Sequence, residues 1–562
     1  MVCVVAPHLS VHSSPIIILV ALALIISPVS AAPADAVSLP GESTSSVSGY
    51  APPEGSFPVI YLSGDEREMG FQYGSGAARE IAEVRDGVRA TLVLKYNMTI
   101  VQANLKTIDG YLRNNVTAFA YPEFIQGIVE GAATRGIEVS YEDLLLIASM
   151  YSLESLPTVS TPSACTSFAA WGDATLGGGL VVGSTYDYHR GLVNAYEVLV
   201  VAYPKSGHAF VSPTLPGRLS NNFQMNDQGV VRVVNKGPTS RKEDRAFRVT
   251  DFVIGPAVAV SCGSAAEAKD LILATPQSGG TVHLVADPTG AAYVIERTAS
   301  LSAVRSARDH GEEDYLLAAN HYLEPVMAPA QVPWDPLTFY PSSYYRYITA
   351  QRLISGERGE FGPGEALAVL SSTEYWDGTR YVAGKEWEGL TINRFLPDGG
   401  TLESKVALPG EGVLWICGGN PGHPEWNRFV PGGIGEFVRF DLKDTPQNTT
   451  LALKQNADAE IFSTARVLAE VGKRDYHVYR GLMREWEGVM DEYLRAEHDM
   501  STALVTLNRT AALAGFGEAS TGYMKVQGES LSLRRAAVEA INQAARPMLP
   551  VFSPARAAYG IA

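Results

Sequence analysis

The spacing of apolar and polar positions changes twice along the chain. Residues 64–95 carry apolar residues at helical intervals. A second helix is predicted after Pro122, with Phe124, Ile125, Ile128, Val129 and Ala132 on one face and a stop at Gly136. Ser140 and Asp143 have the spacing of a capping box that opens a third helix through Leu144, Leu145 and Ala148. From Cys165 onward short strand-like runs take over: CTSFAAW, GLVVGSTY, EVLVVAY, GVVRVVN, TVHLVAD, AAYVIE and DYLLAA. Helices are predicted among them near 264–274 and 343–355. After about residue 445 the helical period returns. Leu482, Trp486, Val489 and Tyr493 form a stripe that reads as a core-facing surface rather than a cofactor box, and 528–546 is a further helix. The sum is an α+β chain of antiparallel sheets with segregated helices.

Composition adds a compartment. The first 34 residues have no Lys, Arg, Asp or Glu and contain the apolar run Ile16 to Ile26, followed by small residues through Ala32. That layout is a secretory signal cut near Ala31, and the run is shorter than the ~20 residues a membrane span needs. The n-region lacks Lys and Arg, so an uncleaved anchor stays open. The expectation is a secreted or extracytoplasmic protein with a signal over 1–31 and a Ser/Pro/Gly-rich leader over 32–56. Net charge is −16 with no basic block, which argues against nucleic acid as a partner.

Signal removal leaves Cys165, Cys262 and Cys417. Cys262 and Cys417 could form a disulfide, leaving Cys165 as the free thiol, or all three could be buried thiols. The segment Thr161-Pro162-Ser163-Ala164 favours an extended, accessible approach to Cys165. GDATLGGG then turns the chain into a return strand ending near Asp187. A hairpin centred near Leu176 pairs Cys165 with Asp187, within a residue or two. One chemistry suits this arrangement. Cutting the Ala164–Cys165 bond would give Cys165 an α-amine of pKa near ~8, able to take the proton of its own thiol. Asp187 would then hold the ammonium.

At these residues the chain resembles N-terminal-nucleophile hydrolases of the penicillin acyltransferase and choloylglycine hydrolase group. ACTSFAAWGDAT followed by LVVGSTYDY is similar to the start of the family's mature chain. GDEREMGFQYG and EFIQGIVEGAATRGIEVSYEDLLL resemble the acyltransferase pro-segment. PGRLSNNFQMNDQGV, LAANHYLEP and SSYYRYITAQRL resemble later family segments, in the right order. The resemblance implies a four-layer αββα sandwich, with a helical pro-segment or α chain over 57–164 and a catalytic β chain over 165–445. A helical extension over 446–562 has no counterpart. It further implies Cys165 as nucleophile, Asp187 as partner of its amine, Asn226 and Asn320 as oxyanion donors, and Arg346 beside the thiol. Two departures stand out. Ser184 occupies the position where bile-salt-type members carry Arg, and Ala164 replaces the usual Gly before the nucleophile.

Each residue also has a plain structural reading. Asp187 can end a strand, Asn226 can build the MNDQG turn, Asn320 can cap a strand, and Arg346 or the nearby Arg352 can be a solvated helix residue. His189, His208, His283, His310, His321 and His423 are scattered, with no HExxH and no close Cys/His spacing, so neither a metal nor another cofactor is implied. A papain-like enzyme would start a helix at its cysteine, and here a strand starts. The expected activity is an autoprocessing cysteine amidohydrolase or acyltransferase acting on a small-molecule amide or acyl donor. The alternatives are a peptidase active only on itself and a secreted, non-enzymatic binding protein on the same scaffold.

Overall fold

The computed structural model of the protein describes residues 58–95, 97–114, 118–154, 164–189, 197–246, 248–249, 251–331, 339–385, 388–396, 399–422 and 437–545. The signal and leader expected over 1–31 and 32–56 lie outside these residues, as do Pro162, Ser163 and His423.

The chain begins with β1 (Val59–Gly64), a strand inside the region read as helical, then α1 (Glu66–Gly76), α2 (Ala78–Lys95), α3 (Met98–Asn114), α4 (Tyr121–Ala133) and α5 (Tyr141–Glu154). The one helix expected over 64–95 is two, because the backbone at Ala77 leaves helical geometry (φ −122°, ψ 28°). Asp65 caps α1, accepting from the Glu68 N–H while Glu68 accepts from the Asp65 N–H. Ser140 and Asp143 make the matching reciprocal pair before α5. Helices α1 and α4 cross backbone to backbone. A Cβ on Gly74 would come within 2.1 Å of the Ile128 carbonyl oxygen, and one on Gly127 within 2.2 Å of the Arg67 carbonyl oxygen.

The strand-rich part runs β2 (Ser167–Ala170), β3 (Val181–His189), β4 (Val198–Pro204), β5 (Phe210–Thr214), β6 (Phe223–Asn226), β7 (Val231–Lys236), α6 (Asp251–Ser261), α7 (Ala265–Ala274), β8 (Thr281–Ala286), β9 (Ala292–Arg297), β10 (Ser302–Arg305) and β11 (Tyr315–Ala318). It continues with α8 (Phe339–Gly356), α9 (Pro363–Leu370), a small hairpin β12 (Glu374–Trp376) and β13 (Tyr381–Ala383), then β14 (Phe395–Leu396), β15 (Gly399–Leu408), β16 (Val413–Gly418) and β17 (Val438–Asp441). Three long helices follow: α10 (Pro446–Arg474), α11 (Tyr476–Val505) and α12 (Arg509–Ala545).

Two sheets result. One has eight strands in the order β1-β4-β5-β6-β7-β8-β9-β10, and the other has seven, ordered β11-β2-β3-β15-β16-β17 with β14 alongside β15. All pairings are antiparallel except β1 with β4, where Val59 lies opposite Leu199. Alternation along the strands sorts side chains into three cores. Val198, Val200, Ala202 and Phe210 face the helices of the N-terminal part together with α6 and α7. Leu199, Val201 and Val211 meet Ala169, Val182 and Ala407 of the other sheet. Phe168, Val181 and Val406 face Tyr347, Ala350 and Leu370 on α8 and α9. The expected four-layer αββα sandwich is therefore present, with helices on both outer faces of two packed sheets.

The C-terminal helices continue the inter-sheet core past the β1 edge. Trp486, Val489 and Tyr493 are buried in it, as the stripe predicted. The β1 backbone is tied to α12 by the Val59 N–H donating to Thr521 Oγ1 at 2.7 Å.

Candidate active site

Strands β2 and β3 are joined by two 3₁₀ turns, Gly172–Ala174 and Leu176–Gly178. Gly172, Gly177 and Gly178 all have positive φ there, which glycine adopts without a Cβ clash. The turn sets a register of Ser167 opposite Ser184, one residue from the expected one. Asp187 is therefore bridged to Ala164, not to Cys165. The Ala164 N–H donates to the Asp187 carbonyl at 3.1 Å, and the Asp187 N–H donates to the Ala164 carbonyl at 2.9 Å. Because neighbouring strand residues face opposite ways, Ala164, Thr166 and Asp187 point toward α8. Cys165 shares the inter-sheet face with Tyr186.

Helix α8 and the end of β11 supply a clamp around Cys165. Asn320 Oδ1 accepts from the Cys165 N–H at 2.9 Å and from Arg346 Nη2 at 2.7 Å. Two N–H donors on one atom require the amide oxygen there, which fixes the Asn320 orientation. Arg346 Nη1 donates to the Cys165 carbonyl at 2.5 Å and to Thr166 Oγ1 at 2.7 Å. Behind them the Asn320 N–H donates to Ser343 Oγ at 2.7 Å, and Ser343 Oγ lies 2.6 Å from His321 Nδ1. Burial and the nearby Arg305 and Arg346 keep His321 neutral, its pKa lowered to about 3.

Asp187 is fully buried. Its Oδ1 accepts from Thr401 Oγ1 at 2.8 Å, and Arg394 Nη1 stands 3.8 Å from Oδ2. Oδ2 has no hydrogen-bond partner among the described residues. Burial raises the Asp187 pKa, with Arg394 and Arg346 opposing. Burial also pushes the Cys165 thiol up to about 11, helped by the Asp187 charge and opposed by the Asp187 N–H, Arg346 and Lys405. In the uncut chain the thiol is thus protonated.

Four of the residues singled out from the sequence, Cys165, Asp187, Asn320 and Arg346, come together. Arg352 does not compete for the place of Arg346; it lies over the Trp376 ring at 5.1 Å. Asn226 is elsewhere. Its Nδ2 donates to the Ala259 and Cys262 carbonyls at 3.0 and 2.8 Å, and its Oδ1 accepts from the Gln228 and Val230 N–H groups at 3.2 and 2.9 Å. Oδ1 closes the β6–β7 turn and Nδ2 ties it to the end of α6, so both ends of the amide are used and it is no oxyanion donor in this arrangement. The Cys262–Cys417 disulfide is also absent: both are buried thiols not bonded to each other, one just past α6 outside the eight-stranded sheet and the other in β16 of the other sheet. No group of three or more His, Cys, Asp or Glu able to hold a metal occurs among the described residues.

Several site residues escaped the sequence reading. Thr401 and Arg394 flank Asp187, and Lys405 sits opposite Ser184, where its Nζ donates to Asn222 Oδ1 at 2.6 Å. The run TLESKVAL carried a signal. Glu403 and Lys405 alternate with other residues and so share one face of a strand, yet both are fully buried.

Comparison with known proteins adds a family match over part of the chain. Residues 175–412 match the acyl-coenzyme A:6-aminopenicillanic acid acyl-transferase family. This bears out the acyltransferase side of the resemblance read from the sequence, over that part of the chain. An uncharacterized protein of Archaeoglobus fulgidus is 22% identical over 344 residues, which is 54% of this chain and 55% of that one. The chain thus spans about half the length of the curated relative it matches. Among solved structures, a conjugated bile acid hydrolase from Clostridium perfringens overlaps with a TM-score of 0.28 at 13% identity, covering 45% of this chain and 89% of that one. Penicillin V acylase from Agrobacterium tumefaciens gives a TM-score of 0.28 at 12% identity, with 45% and 83% covered. Overlaps this slight carry no weight for function.

Proposed function

We propose that this protein is a self-processing cysteine enzyme that hydrolyses or transfers the acyl group of linear amides through a thioester on Cys165. The acyl-transferase family match supports the coarser part, an amidohydrolase or acyltransferase of the N-terminal-nucleophile type. The observation that carries the finer part is the clamp on both sides of one peptide bond. Asp187 pairs with Ala164, while Asn320 and Arg346 hold the N–H and carbonyl of Cys165.

In the first step the Cys165 sulfur adds to the Ala164 carbonyl carbon, whose oxygen accepts from the Asp187 N–H. The C–N bond breaks, the nitrogen takes the thiol proton, and a thioester remains. Water then cleaves it, leaving an Ala164 carboxylate and an N-terminal Cys165. The new α-amine replaces the amide N–H held by Asn320 and lies within reach of Asp187. In the second step it accepts the thiol proton, and the thiolate attacks the substrate carbonyl. The oxyanion is met by the second N–H of Asn320 Nδ2, whose first donates to the Lys236 carbonyl at 2.9 Å. The amine leaves with the proton, and water or a second amine releases the acyl group. Residues 1–31 would direct the protein out of the cytoplasm.

Intact-mass and N-terminal analysis of purified wild-type protein and of Cys165→Ala tests this reading. The expected result is two co-eluting fragments, one beginning at Cys165, and an uncut mutant. An uncut wild-type chain would remove the amine on which the mechanism depends.

A further inference from the structure

Beside Cys165, on the inter-sheet face, lies a second group of charges that the mechanism does not use. Glu403 pairs across the ladder with Tyr186, and Lys405 with Ser184, so both side chains project toward the eight-stranded sheet on the same face as Cys165. Glu197, just before β4, comes from that opposite sheet, and its position in the alternation directs it inward. Lys405 Nζ is 3.0 Å from Glu403 Oε2, and its remaining bond goes to Asn222. One ammonium thus faces two carboxyl groups. Both oxygens of Glu197 and both of Glu403 are shut from solvent, and among the described residues only Glu403 Oε2 has an N–H group, that of Lys405, beside it. Burial, then the charge and side-chain hydrogen bond of Glu403, hold the Glu197 carboxyl well above the ordinary carboxylate range.

Buried carboxyl oxygens are costly unless donors reach them, and three of these four, on the same face as Cys165, form a socket lacking N–H groups. Lys405 offsets one charge and leaves the other to be met. We infer that Glu197 and Glu403, held in place by Lys405, form a substrate subsite for a primary ammonium group carried near the scissile amide. The amine's three N–H donors would occupy the two Glu197 oxygens and Glu403 Oε1 and release the Glu197 proton to solvent. This rests on the reading of Cys165 as the nucleophile and adds the charge class of the substrate.

The inference can be tested without knowing the substrate, by labelling the processed protein with three alkyl methanethiosulfonates: aminoethyl (cationic), sulfonatoethyl (anionic) and methyl (neutral). In each case the Cys165 thiolate attacks the reagent's sulfenyl sulfur, a mixed disulfide forms, methanesulfinate leaves, and the thiol proton goes to the α-amine. Rates are read at Cys165 by peptide mass, which separates it from Cys262 and Cys417. The expected cation-to-anion rate ratio exceeds that of a short peptide with an N-terminal cysteine by about tenfold or more. Glu403→Gln and Glu197→Gln should each reduce the ratio severalfold, and Lys405→Met should raise it. A wild-type ratio equal to that of the peptide would overturn the subsite, and that measurement needs no variant to fold. Failure of all three reagents, neutral included, would instead show an unreactive Cys165 and bring down the nucleophile assignment with the subsite.

Discussion

Ala164 and Asp187 are bridged by two backbone hydrogen bonds, of 3.1 and 2.9 Å, so the carbonyl of the residue before Cys165 is held by the Asp187 N–H. In the mechanism we propose, the Asp187 N–H polarises the carbonyl to be cut, and Oδ2, which has no hydrogen-bond partner among the described residues, receives the ammonium that cutting creates.

The two asparagines proposed from the sequence should separate cleanly. Asn320→Ala removes the acceptor for the Cys165 N–H and for Arg346, so self-cleavage should fall by at least about tenfold. Asn226→Ala breaks a turn distant from the clamp. It should cost about 1–3 kcal/mol of stability and leave the cleavage rate of the folded protein unchanged. Fragment formation over time, set beside a urea unfolding curve for each variant, checks both.

Arg346→Lys should behave as a severe substitution. The guanidinium serves three acceptors at once, the Cys165 carbonyl, Thr166 Oγ1 and Asn320 Oδ1. A single ammonium cannot reproduce that fork, and a buried acceptor left unpaired costs about 1–3 kcal/mol. Processing should slow more than it does in Arg352→Lys, whose side chain stacks on Trp376. Equal rates in the two variants would contradict the clamp.

The α1–α4 crossing should tolerate no side chain. Gly74→Ala or Gly127→Ala places a methyl within 2.1 or 2.2 Å of a backbone carbonyl oxygen, which only separation of the helices relieves. The expected loss is about 1–3 kcal/mol per substitution, read as a lower urea midpoint. Gly110→Ala, where nothing lies within 4 Å, is the control and should not destabilise.

Glu518 makes stability depend on pH. Burial and the neighbouring Asp499, opposed by Arg135, raise its pKa to about 7 from 4.5. The folded state therefore binds this proton more tightly than the unfolded state. The contribution is fully present below the unfolded value and is lost as pH rises from about 4.5 to about 7. Thermal midpoints measured across that window should fall less steeply with rising pH in Glu518→Gln than in the wild type. Identical slopes would argue against the shift.

Local pattern in the sequence determined a good deal of this protein. Helical periodicity marked α4, α5 and α11, and strand-like runs marked seven of the seventeen strands among the described residues. A glycine-rich turn after Cys165 announced the hairpin that brings Asp187 to within one residue of the observed register. These features depend on neighbours a few residues away, and such neighbours are visible in a linear text. The α6 run FVIGPAVAV was not marked, because Gly255, Pro256 and its β-branched residues suit a strand or turn until packing against the sheet decides otherwise.

Tertiary structure alone decided the rest. The parallel pairing of Val59 with Leu199 joins segments far apart in the chain, and no local period encodes it. The choice of Arg346 over Arg352 depends on which face of α8 meets β2. Asn226 and Asn320 look alike as strand-end asparagines, and they differ only in which donors and acceptors the fold brings to each amide. The same holds for Glu403 and Lys405: two alternating charges on a strand read as solvated until a second sheet closes over them and sets Glu197 opposite.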